Sequence, residues 1–186
     1  MEYFDVLDEN GNKTGDIIER KEAHRFGICH RGIHVWVMNF KNELLLQKRS
    51  KDKDIGPNLW YVSLAGHISS KESNEETIKR EFFEELGLKV HFSNIKYLYT
   101  FHEINTYENG TIIDNEFDDV YLLKMDLNIE DLILQEDEVE EVKFINYLDF
   151  KYAIQSADPS FWIHKVGFSL LFDYLDTQIN NPVEWA

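Results

Sequence analysis

The sequence predicts an α+β fold, an α/β/α sandwich with a mixed β-sheet between helices, formed by a single domain over residues 1–186. Three observations support this prediction. Hydrophobic residues make up 43% of the 186-residue chain, which is enough for a sizeable core. Strand-like segments occur on both sides of a strongly patterned helix, and further helical segments follow near the C-terminus. No Pro/Gly/Ser-rich linker divides the chain.

Alternating or continuous apolar segments predict the strands in chain order. An N-terminal hairpin within residues 1–21 pairs Glu2–Leu7 with Asp16–Arg20 around an Asn-Gly turn, which favours positive φ angles. A second hairpin pairs His34–Met38 with Glu43–Lys48. The remaining predicted strands are Trp60–Leu64, Lys96–Glu103, Asp119–Met125 and Val142–Asn146.

The most strongly patterned helix is predicted at Asn74–Leu86. Ser73 is a favourable N-cap, Glu76 completes a capping box, and Gly87 supplies a left-handed C-terminal stop. An apolar stripe at i, i+4 and i+8 predicts the face that packs on the sheet, namely Ile78, Phe82 and Leu86. Two further helices are predicted in a C-terminal helical part of about residues 147–180: Tyr147–Ser156 and Phe161–Gln178.

The composition disfavours several classes of protein. A net charge of −16 argues against nucleic acid as a partner, because a phosphate backbone would be repelled. The apolar runs are far shorter than a membrane span and no leader-like segment opens the chain, so we expect neither a membrane partner nor a signal peptide. The single cysteine, Cys29, fits a reducing, cytoplasmic location. A phosphorylated substrate would need a cation, most simply a divalent metal, to screen this charge.

Three carboxylates lie on one arc of the predicted helix. Glu81, Glu84 and Glu85 fall at i, i+3 and i+4, beside the apolar stripe. Like charges at this spacing destabilise a helix by a few tenths of a kcal/mol. The simplest interpretation is a solvated acidic face. The alternative is a metal site, because hard oxygen ligands on a rigid helix suit Mg²⁺ or Mn²⁺.

A longer pattern surrounds these carboxylates and favours the metal site. It spans residues 66–88 and consists of Gly66, five residues, Glu72, seven residues, Arg80, Glu81, Phe82, one residue, Glu84, Glu85, one residue, Gly87 and Leu88. The pattern resembles the signature of Nudix hydrolases without a departure. That resemblance implies one Nudix domain that hydrolyses a diphosphate linkage in a small molecule, a nucleoside diphosphate derivative, with Mg²⁺ or Mn²⁺ as the cofactor.

The resemblance also implies roles for individual residues. The metal ligands are expected to be Glu81, Glu84, Glu85 and the backbone carbonyl of Gly66. Glu72 and Arg80 are expected behind them, where a guanidinium can orient carboxylates and offset their repulsion. The catalytic set is expected to be Glu81, Arg80 and Glu116, with Glu116 as the general base. The neighbouring carboxylates Asp114, Asp118 and Asp119 are alternatives for that base, and a solvated acidic loop is the simplest alternative to any role.

Similarity to one branch of the superfamily extends beyond this pattern. The residues that carry it are Asp5-Val6-Leu7-Asp8, Ala23-His24, His30, Leu44-Leu45-Leu46, Trp60 and Gly66-His67. They resemble isopentenyl-diphosphate isomerase and its hydrolase-like Nudix relatives. This resemblance implies a second metal held by His24, His30, His67, Asp114 and Glu116. It also implies that Arg49 and Lys53 bind the diphosphate, and that Trp162 covers the substrate.

Two departures separate the chain from the isomerases. Ala65 stands where that family has a catalytic cysteine, and a methyl group can neither donate nor accept a proton. The chain also keeps Glu81 and Glu84, at positions where the isomerases usually break the Nudix pattern. We therefore predict a hydrolase. The alternatives are an isomerase-like enzyme that works without the cysteine and a non-catalytic sensor of a nucleotide metabolite.

Several points are left open by the sequence. Each histidine of the second metal set is, taken singly, as consistent with an ordinary surface or core position. Trp162 either covers the substrate or packs in the core. Four other histidines are given no function: His34, His91, His102 and His164. The substrate and the oligomeric state, including a homodimer, are also left open.

Overall fold

The computed structural model describes residues 1–180. Residues 181–186, which the sequence prediction assigned to the same domain, lie outside this described range. In chain order the elements are β1 (Tyr3–Leu7), β2 (Lys13–Glu19), α1 (Arg20–Phe26), β3 (His30–Met38), β4 (Glu43–Arg49), β5 (Trp60–Tyr61), β6 (Leu64–His67), α2 (Asn74–Leu86), β7 (Ile95–Tyr107), β8 (Ile112–Lys124), β9 (Val139–Asn146), α3 (Tyr147–Gln155) and α4 (Lys165–Asn180).

Within the described range, seven strands form one mixed sheet. Its main path runs β5-β4-β3-β8-β7, with β6 paired to β3 and β9 paired to β4. The neighbours β3 and β8 are parallel, from His30 beside Glu116 to Met38 beside Lys124, and the other pairs are antiparallel. β1 and β2 form a separate antiparallel hairpin. The predicted mixed sheet is therefore confirmed, and the N-terminal hairpin is also present.

The core lies in two layers, one on each face of the sheet. Side chains of a strand alternate between faces, and β3 shows this directly. Trp36 joins the layer that also contains residues of α3 and α4, such as Phe150 and Leu171. Val35 and Val37 join the opposite layer, against the α2 residues Ile78, Phe82 and Leu86. Helices thus cover both faces of the sheet, as the predicted α/β/α sandwich requires.

The helix α2 has the ends that its sequence predicts. The Ser73 hydroxyl accepts a hydrogen bond from Glu76 N–H, and the Glu76 carboxylate accepts one from Ser73 N–H at 2.9 Å. At the other end, Gly87 adopts a φ of 68°, which few residues with a side chain tolerate, and its N–H reaches Phe83 O at 3.1 Å. The apolar stripe is fully buried. Both ends of α2 are therefore fixed before the acidic face is considered.

The N-terminal region differs from the prediction. The chain forms a strand only to Glu19 and then turns into the seven-residue helix α1, which the sequence analysis did not predict. The helix buries Ala23 alone, so it has little apolar periodicity by which it could be recognised. β3 begins at His30, four residues earlier than predicted, because its N-terminal part pairs with β6 and β8. β7 and β8 are likewise longer than predicted, since they continue together as a two-stranded hairpin.

The last helix also begins later than predicted, at Lys165 instead of Phe161. Residues 160–162 continue the sheet edge instead of a helix: Trp60 N–H donates to Ser160 O, and Trp162 N–H donates to Trp60 O. Tertiary hydrogen bonds therefore override the local pattern there. None of the helices in residues 1–180 combines the length and the apolar character that a membrane crossing requires.

We expect the Ser73→Ala variant to unfold at lower denaturant concentration than the wild type, with a loss of about 1 kcal/mol in the free energy of unfolding. The substitution removes the acceptor of the Glu76 N–H bond at the start of α2. Urea unfolding followed by circular dichroism measures it. Ser93→Ala, at an exposed position outside α2, is the matched control and should change stability by less than about 0.5 kcal/mol. Equal effects of the two substitutions would contradict the capping role.

Candidate active site

One cleft of about 860 Å³ collects most of the residues that the sequence analysis singled out. One wall is the acidic face of α2, another is formed by β3, β6 and β8, and a third by the loop after β4 with the segment before α4. Acidic side chains outnumber Arg and Lys along its lining. The expected site residues that line it are His24, Arg49, Lys53, Gly66, His67, Arg80, Glu81, Glu84, Glu85, Asp114, Glu116 and Trp162. Glu72 and His30 lie directly behind this lining, on Arg80 and Glu116 respectively.

The three carboxylates of α2 differ in their exposure. Glu84 is half exposed, Glu81 is largely buried and Glu85 is 6% exposed. Burial raises the pKa of Glu81 to about 7 and that of Glu85 to about 8, in both cases with a further contribution from a neighbouring carboxylate. The Oε2 atom of Glu85 is buried and has no hydrogen-bond partner. A buried carboxylate oxygen without a partner, beside a second carboxylate, is a group whose charge a bound cation would compensate.

Gly66 in β6 is placed against the same helix. A Cβ atom at this position would lie 2.4 Å from Oε1 of Glu81, closer than any real contact allows. Glycine is therefore required for the main chain of β6 to approach the carboxylates of α2. Its neighbour in the sheet is Ile33 of β3, so the approach is held by strand pairing.

Arg80 connects the acidic residues to one another. Its Nε and Nη2 atoms donate to the two oxygens of Glu72, each at 3.0 Å, and Nη1 donates to Glu81 at 2.7 Å and to Glu84 at 3.2 Å. The bonds to Glu72 are the largest of the causes that raise the Arg80 pKa above its usual value. Arg80 thus orients Glu81 and offsets part of the repulsion, as the sequence analysis expected for it and Glu72. Glu85 receives no hydrogen bond from it.

A second group of ligand-type atoms faces the carboxylates from the sheet. His24, His30, His67 and Asp114 each offer one atom, and these atoms lie within 4.8 Å of one another. Glu116 adds Oε1, which is 3.1 Å from His30 Nε2 and 3.0 Å from His67 Nε2. The structure therefore brings together all five residues that the resemblance assigned to a second metal.

The environment of this cluster leaves several of its atoms without hydrogen bonds. His24 Nε2, His30 Nε2, Asp114 Oδ1 and Glu116 Oε1 are all buried and unsatisfied. Burial, together with repulsion from His67 and His30, lowers the pKa of His24 to about 3, and burial beside Glu116 raises that of Asp114 to about 8. Burial opposes ionisation of Glu116, but His67 and His30 hold its pKa well below the usual value.

The orientation of the rings is set by the protein around them. Nδ1 of His30 lies 2.9 Å from the carbonyl of Ile28, to which it donates, so Nε2 is the ring nitrogen turned toward the cluster. Phe4 of β1 stacks on His30 at 4.5 Å and on His67 at 4.8 Å between ring centroids. The N-terminal hairpin thus covers one side of the cluster. Imidazoles and carboxylates in this arrangement are a donor set suited to a divalent transition metal.

The third wall supplies the basic and aromatic residues. Arg49 donates through Nε to Ile55 O at 2.9 Å, and its guanidinium carbon lies 4.5 Å from the centre of the Trp162 ring. It makes no ion pair within residues 1–180, and burial lowers its pKa. Lys53, in contrast, is paired with the carboxylate of Glu138. Trp162 lines the cleft and also packs against the core, so both interpretations of this residue describe part of its position.

Some residues that line the cleft were given no function from the sequence. His34 lies in the cleft, with its Nε2 atom 2.8 Å from the Tyr61 hydroxyl. Since side chains alternate along a strand, His34 shares the face of His30, and an earlier start of β3 would have indicated this. His164 also lines the cleft, and Glu103 accepts a hydrogen bond from it at 2.9 Å. Nothing in the local sequence indicates that placement.

The cleft contains no thiol at the position that the isomerases use. Ala65 lies there, beside His34 in the pairing of β6 with β3. Cys29, the only cysteine of the sequence, is not part of the lining. A proton donor or acceptor at this point of the cleft must therefore come from another side chain.

Comparison with known proteins gives a consistent result. A model of the NUDIX domain family matches residues 29–163. Nudix hydrolase 3 of Arabidopsis thaliana is 37% identical over 179 residues, which are 94% of this chain, although the chain spans only 23% of that protein. An uncharacterized Nudix hydrolase of Listeria monocytogenes is 33% identical over 168 residues, or 89% of this chain and 94% of the relative.

Isomerases match at lower identity. An isopentenyl-diphosphate Delta-isomerase of Photorhabdus laumondii is 28% identical over 167 residues, covering 89% of this chain and 90% of the isomerase. Among solved structures, a protein of Deinococcus radiodurans matches with a TM-score of 0.71 and 22% identity over 93% of this chain and 99% of that one. At that identity the solved structure supports the fold alone.

The raised carboxyl pKa values predict a pH dependence of stability in the metal-free protein. In the folded state Glu85 keeps its proton to about pH 8, whereas the usual value is 4.5, so the folded state binds more protons between these limits. Stability in EDTA should therefore fall as pH rises through this window, by at most about 1.4 kcal/mol per pH unit for one group. Glu85→Gln should reduce this slope, measured by thermal unfolding between pH 5 and pH 8.5. Glu75→Gln, at an exposed carboxylate of the same helix, should keep the wild-type slope. A Glu85→Gln profile that falls as steeply as the wild type would refute the burial argument.

Proposed function

The chain belongs to the Nudix hydrolase family, and from that premise we propose that it hydrolyses a diphosphate linkage in a small molecule, a nucleoside diphosphate derivative, with Mg²⁺ or Mn²⁺ as its cofactor. One observation carries this proposal: Glu81 and Glu85 line the same cleft as β6, in which Gly66 allows a close approach. Gly66 lets the main chain come against Glu81, while the buried Oε2 of Glu85 has no partner. A divalent cation would satisfy both carboxylates at once.

The residues that would hold this cation are Glu81, Glu84, Glu85 and the carbonyl of Gly66. When bound, it would neutralise charge on the diphosphate and favour ionisation of the attacking water. Arg80 does not need to touch the substrate in this proposal. It holds Glu81 and Glu84 in position through Nη1, while Glu72 fixes the guanidinium from behind.

Arg49 is the residue that we assign to the diphosphate itself. Its guanidinium is partly desolvated, lacks a carboxylate partner within residues 1–180 and lies in the same cleft as α2. A phosphate group offers the bidentate acceptor that such a fork accommodates. Lys53 is placed nearby but is paired with Glu138, so we propose that it reaches the substrate only by exchanging that partner.

Proton acceptance from water is better assigned to Glu81 than to Glu116. In the metal-free protein, burial raises the pKa of Glu81 to about 7, so its carboxylate takes up a proton more readily than an ordinary glutamate does. Glu116 is held between His30 and His67, and its lowered pKa makes it a weak base. We therefore propose that Glu116 serves with the three histidines and Asp114 as a ligand of a second divalent cation.

A second candidate function is an isomerase-like activity on isopentenyl diphosphate. It is favoured by the complete His24, His30, His67, Asp114 and Glu116 cluster, which the resemblance assigns to the isomerases. It is disfavoured by Ala65, since the cleft offers no thiol there. Exchange of deuterium from solvent into isopentenyl diphosphate, without hydrolysis, would identify this activity. Tight ligand binding with neither reaction would identify a sensor.

The first test of the hydrolase proposal is a substrate panel with site variants. Wild-type protein with Mg²⁺ should cleave members of a set of nucleoside diphosphates and nucleotide sugars, as measured by chromatography of the products. Glu84→Gln and Glu85→Gln should each lower kcat on the order of 10²-fold or more, because a cation ligand is lost while the helix is kept. Glu75→Gln is the matched control on the same helix and should retain full activity. Full turnover by both Glu84→Gln and Glu85→Gln would rule out the metal assignment.

The second metal site has its own test. After dialysis against Mn²⁺, elemental analysis should show that His30→Gln and His67→Gln bind one ion fewer per chain than the wild type, because each loses a ligand of the sheet-side cluster. Glu85→Gln should lose an ion of the other site, so the double variant Glu85→Gln/His67→Gln should lose both. His91→Gln, at an exposed position away from the cleft, is the control. Unchanged stoichiometry in both histidine variants would show that the cluster holds no ion.

A further inference from the structure

We propose that His164 is a specificity-determining residue of the cleft, whose Nε2 atom accepts a hydrogen bond from a hydroxyl or amino group on the organic moiety of the substrate. The substrate class that follows is a diphosphate ester of a hydroxylated group, such as a sugar or the ribose of a nucleoside, and not of a hydrocarbon chain. This inference rests on the proposed function, since it takes the diphosphate to lie between α2 and Arg49.

His164 has a ring nitrogen without a hydrogen-bond partner. His164 is 3% exposed and lines the cleft, and its Nε2 atom is buried without a hydrogen-bond partner. Leaving a buried ring nitrogen unpaired is costly, so its position requires an explanation. The opposite edge of the ring faces Glu103, which is not part of the cleft lining. Nε2 is therefore the edge of the ring that is turned toward the cleft.

The hydrogen bond to Glu103 determines whether His164 Nε2 donates or accepts. Burial opposes ionisation of Glu103, yet hydrogen bonds from His164 and from Val166 N–H lower its pKa to about 2. An ionised carboxylate only accepts, so the ring proton of His164 lies on Nδ1, which donates to Glu103 at 2.9 Å. With that proton on Nδ1, Nε2 presents a lone pair. It can be satisfied only by a group that donates a hydrogen.

The side chains around His164 are the other possible source of a hydrogen donor for Nε2. The rings nearest to His164 are those of Trp162, Tyr61 and His34, at centroid distances of 5.0, 5.4 and 5.5 Å. The Tyr61 hydroxyl is already bonded to His34, and the indole N–H of Trp162 donates to Tyr107. Within residues 1–180, the hydrogen donors beside Nε2 are thus already in use. The missing donor is one that a ligand can supply.

The indole of Trp162 on this wall is packed against several parts of the protein. Trp162 stacks on Tyr61 at 4.4 Å, and the guanidinium of Arg49 lies 4.5 Å from the centre of its ring. A Cβ added to Gly56 would lie 3.1 Å from the indole, so the loop after β4 also covers it. The indole is therefore already in contact with Tyr61, Arg49 and the loop at Gly56. A hydroxylated group would satisfy Nε2, whereas a hydrocarbon chain would leave it unpaired.

The first experiment compares probes that differ in hydroxyl content. The probes are ADP-ribose, UDP-glucose and isopentenyl diphosphate, with kcat/KM measured in Mg²⁺ and dissociation constants measured by calorimetry in Ca²⁺. Of the two hydroxylated probes, the one with the higher kcat/KM should exceed isopentenyl diphosphate on the order of 10²-fold in the wild type. His164→Leu should lower the kcat/KM and the affinity for that probe about tenfold or more, while the values for isopentenyl diphosphate stay unchanged or improve. His91→Leu is the control, since it removes an exposed histidine away from the cleft.

The second experiment keeps the His164 ring but changes which of its two nitrogens carries the proton. In Glu103→Gln the amide oxygen must face Val166 N–H, which can only donate, so the amide N–H₂ faces His164 Nδ1. The ring proton should then move to Nε2, which becomes a donor. The ¹⁵N spectrum of the His164 ring should report Nδ1 as the protonated nitrogen in the wild type and Nε2 in this variant. Such a change of tautomer is a result that a merely structural role of Glu103 would not produce.

The outcomes separate this inference from the proposed function. Hydrolysis with equal losses on every probe in His164→Leu, or a wild-type ring protonated on Nε2, overturns the inference while the hydrolase proposal stands. Selective binding of the hydroxylated probes without turnover overturns the hydrolase proposal and supports the inference. If hydroxylated probes are neither bound nor cleaved, both are wrong.

Discussion

The structure depends on an electrostatic conflict that the protein alone does not resolve. Glu81 and Glu85 are packed where water is largely excluded, and a single guanidinium, that of Arg80, bonds to the first of them only. Such an arrangement persists only if the helix beneath it is held firmly by other forces. α2 has those forces: a capping box at one end, a glycine stop at the other and a fully buried apolar stripe between them. The capped ends and the buried apolar face of the helix thus hold the acidic face in place although its carboxylates are not fully paired.

The wall formed by β3, β6 and β8 also brings carboxylates close together, here through strand pairing. Parallel pairing places His30 beside Glu116 and Gly32 beside Asp118, so histidines and carboxylates share one face by register. A Cβ on Gly32 would lie 2.3 Å from Oδ1 of Asp118, which means that this strand, like β6, needs a glycine to bring a carboxylate close. Two glycines on the neighbouring strands β3 and β6 therefore allow acidic side chains to approach the main chain of the sheet. The proposed metal ligands on the helix and on the sheet meet because both elements belong to one core.

These features differ in how far the sequence reveals them. The bounds of α2 were predicted correctly because its caps and its apolar stripe are local, and each is decided within a few residues. The start of β3 and the bridge at Trp60 and Phe161 were not predicted, since both are set by strands distant in the chain. The same distinction separates the site residues. The residues of the 66–88 pattern follow one another at fixed spacing, whereas His164 is oriented in the cleft by a hydrogen bond to Glu103, far away in β7.

This division explains why reaction class and substrate class are encoded at different levels. In the function that we propose, the reaction depends on the carboxylates of α2, whose relative positions follow from helical geometry and are fixed by one short segment. Discrimination between substrates would then depend on the wall formed by Arg49, Tyr61, Trp162 and His164, which comes from separate parts of the chain and is assembled by tertiary contacts. Substitutions in that wall can change the organic group that is accepted without disturbing the capped helix. A family defined by the helix can therefore keep one chemistry while its members differ in the molecules on which they act.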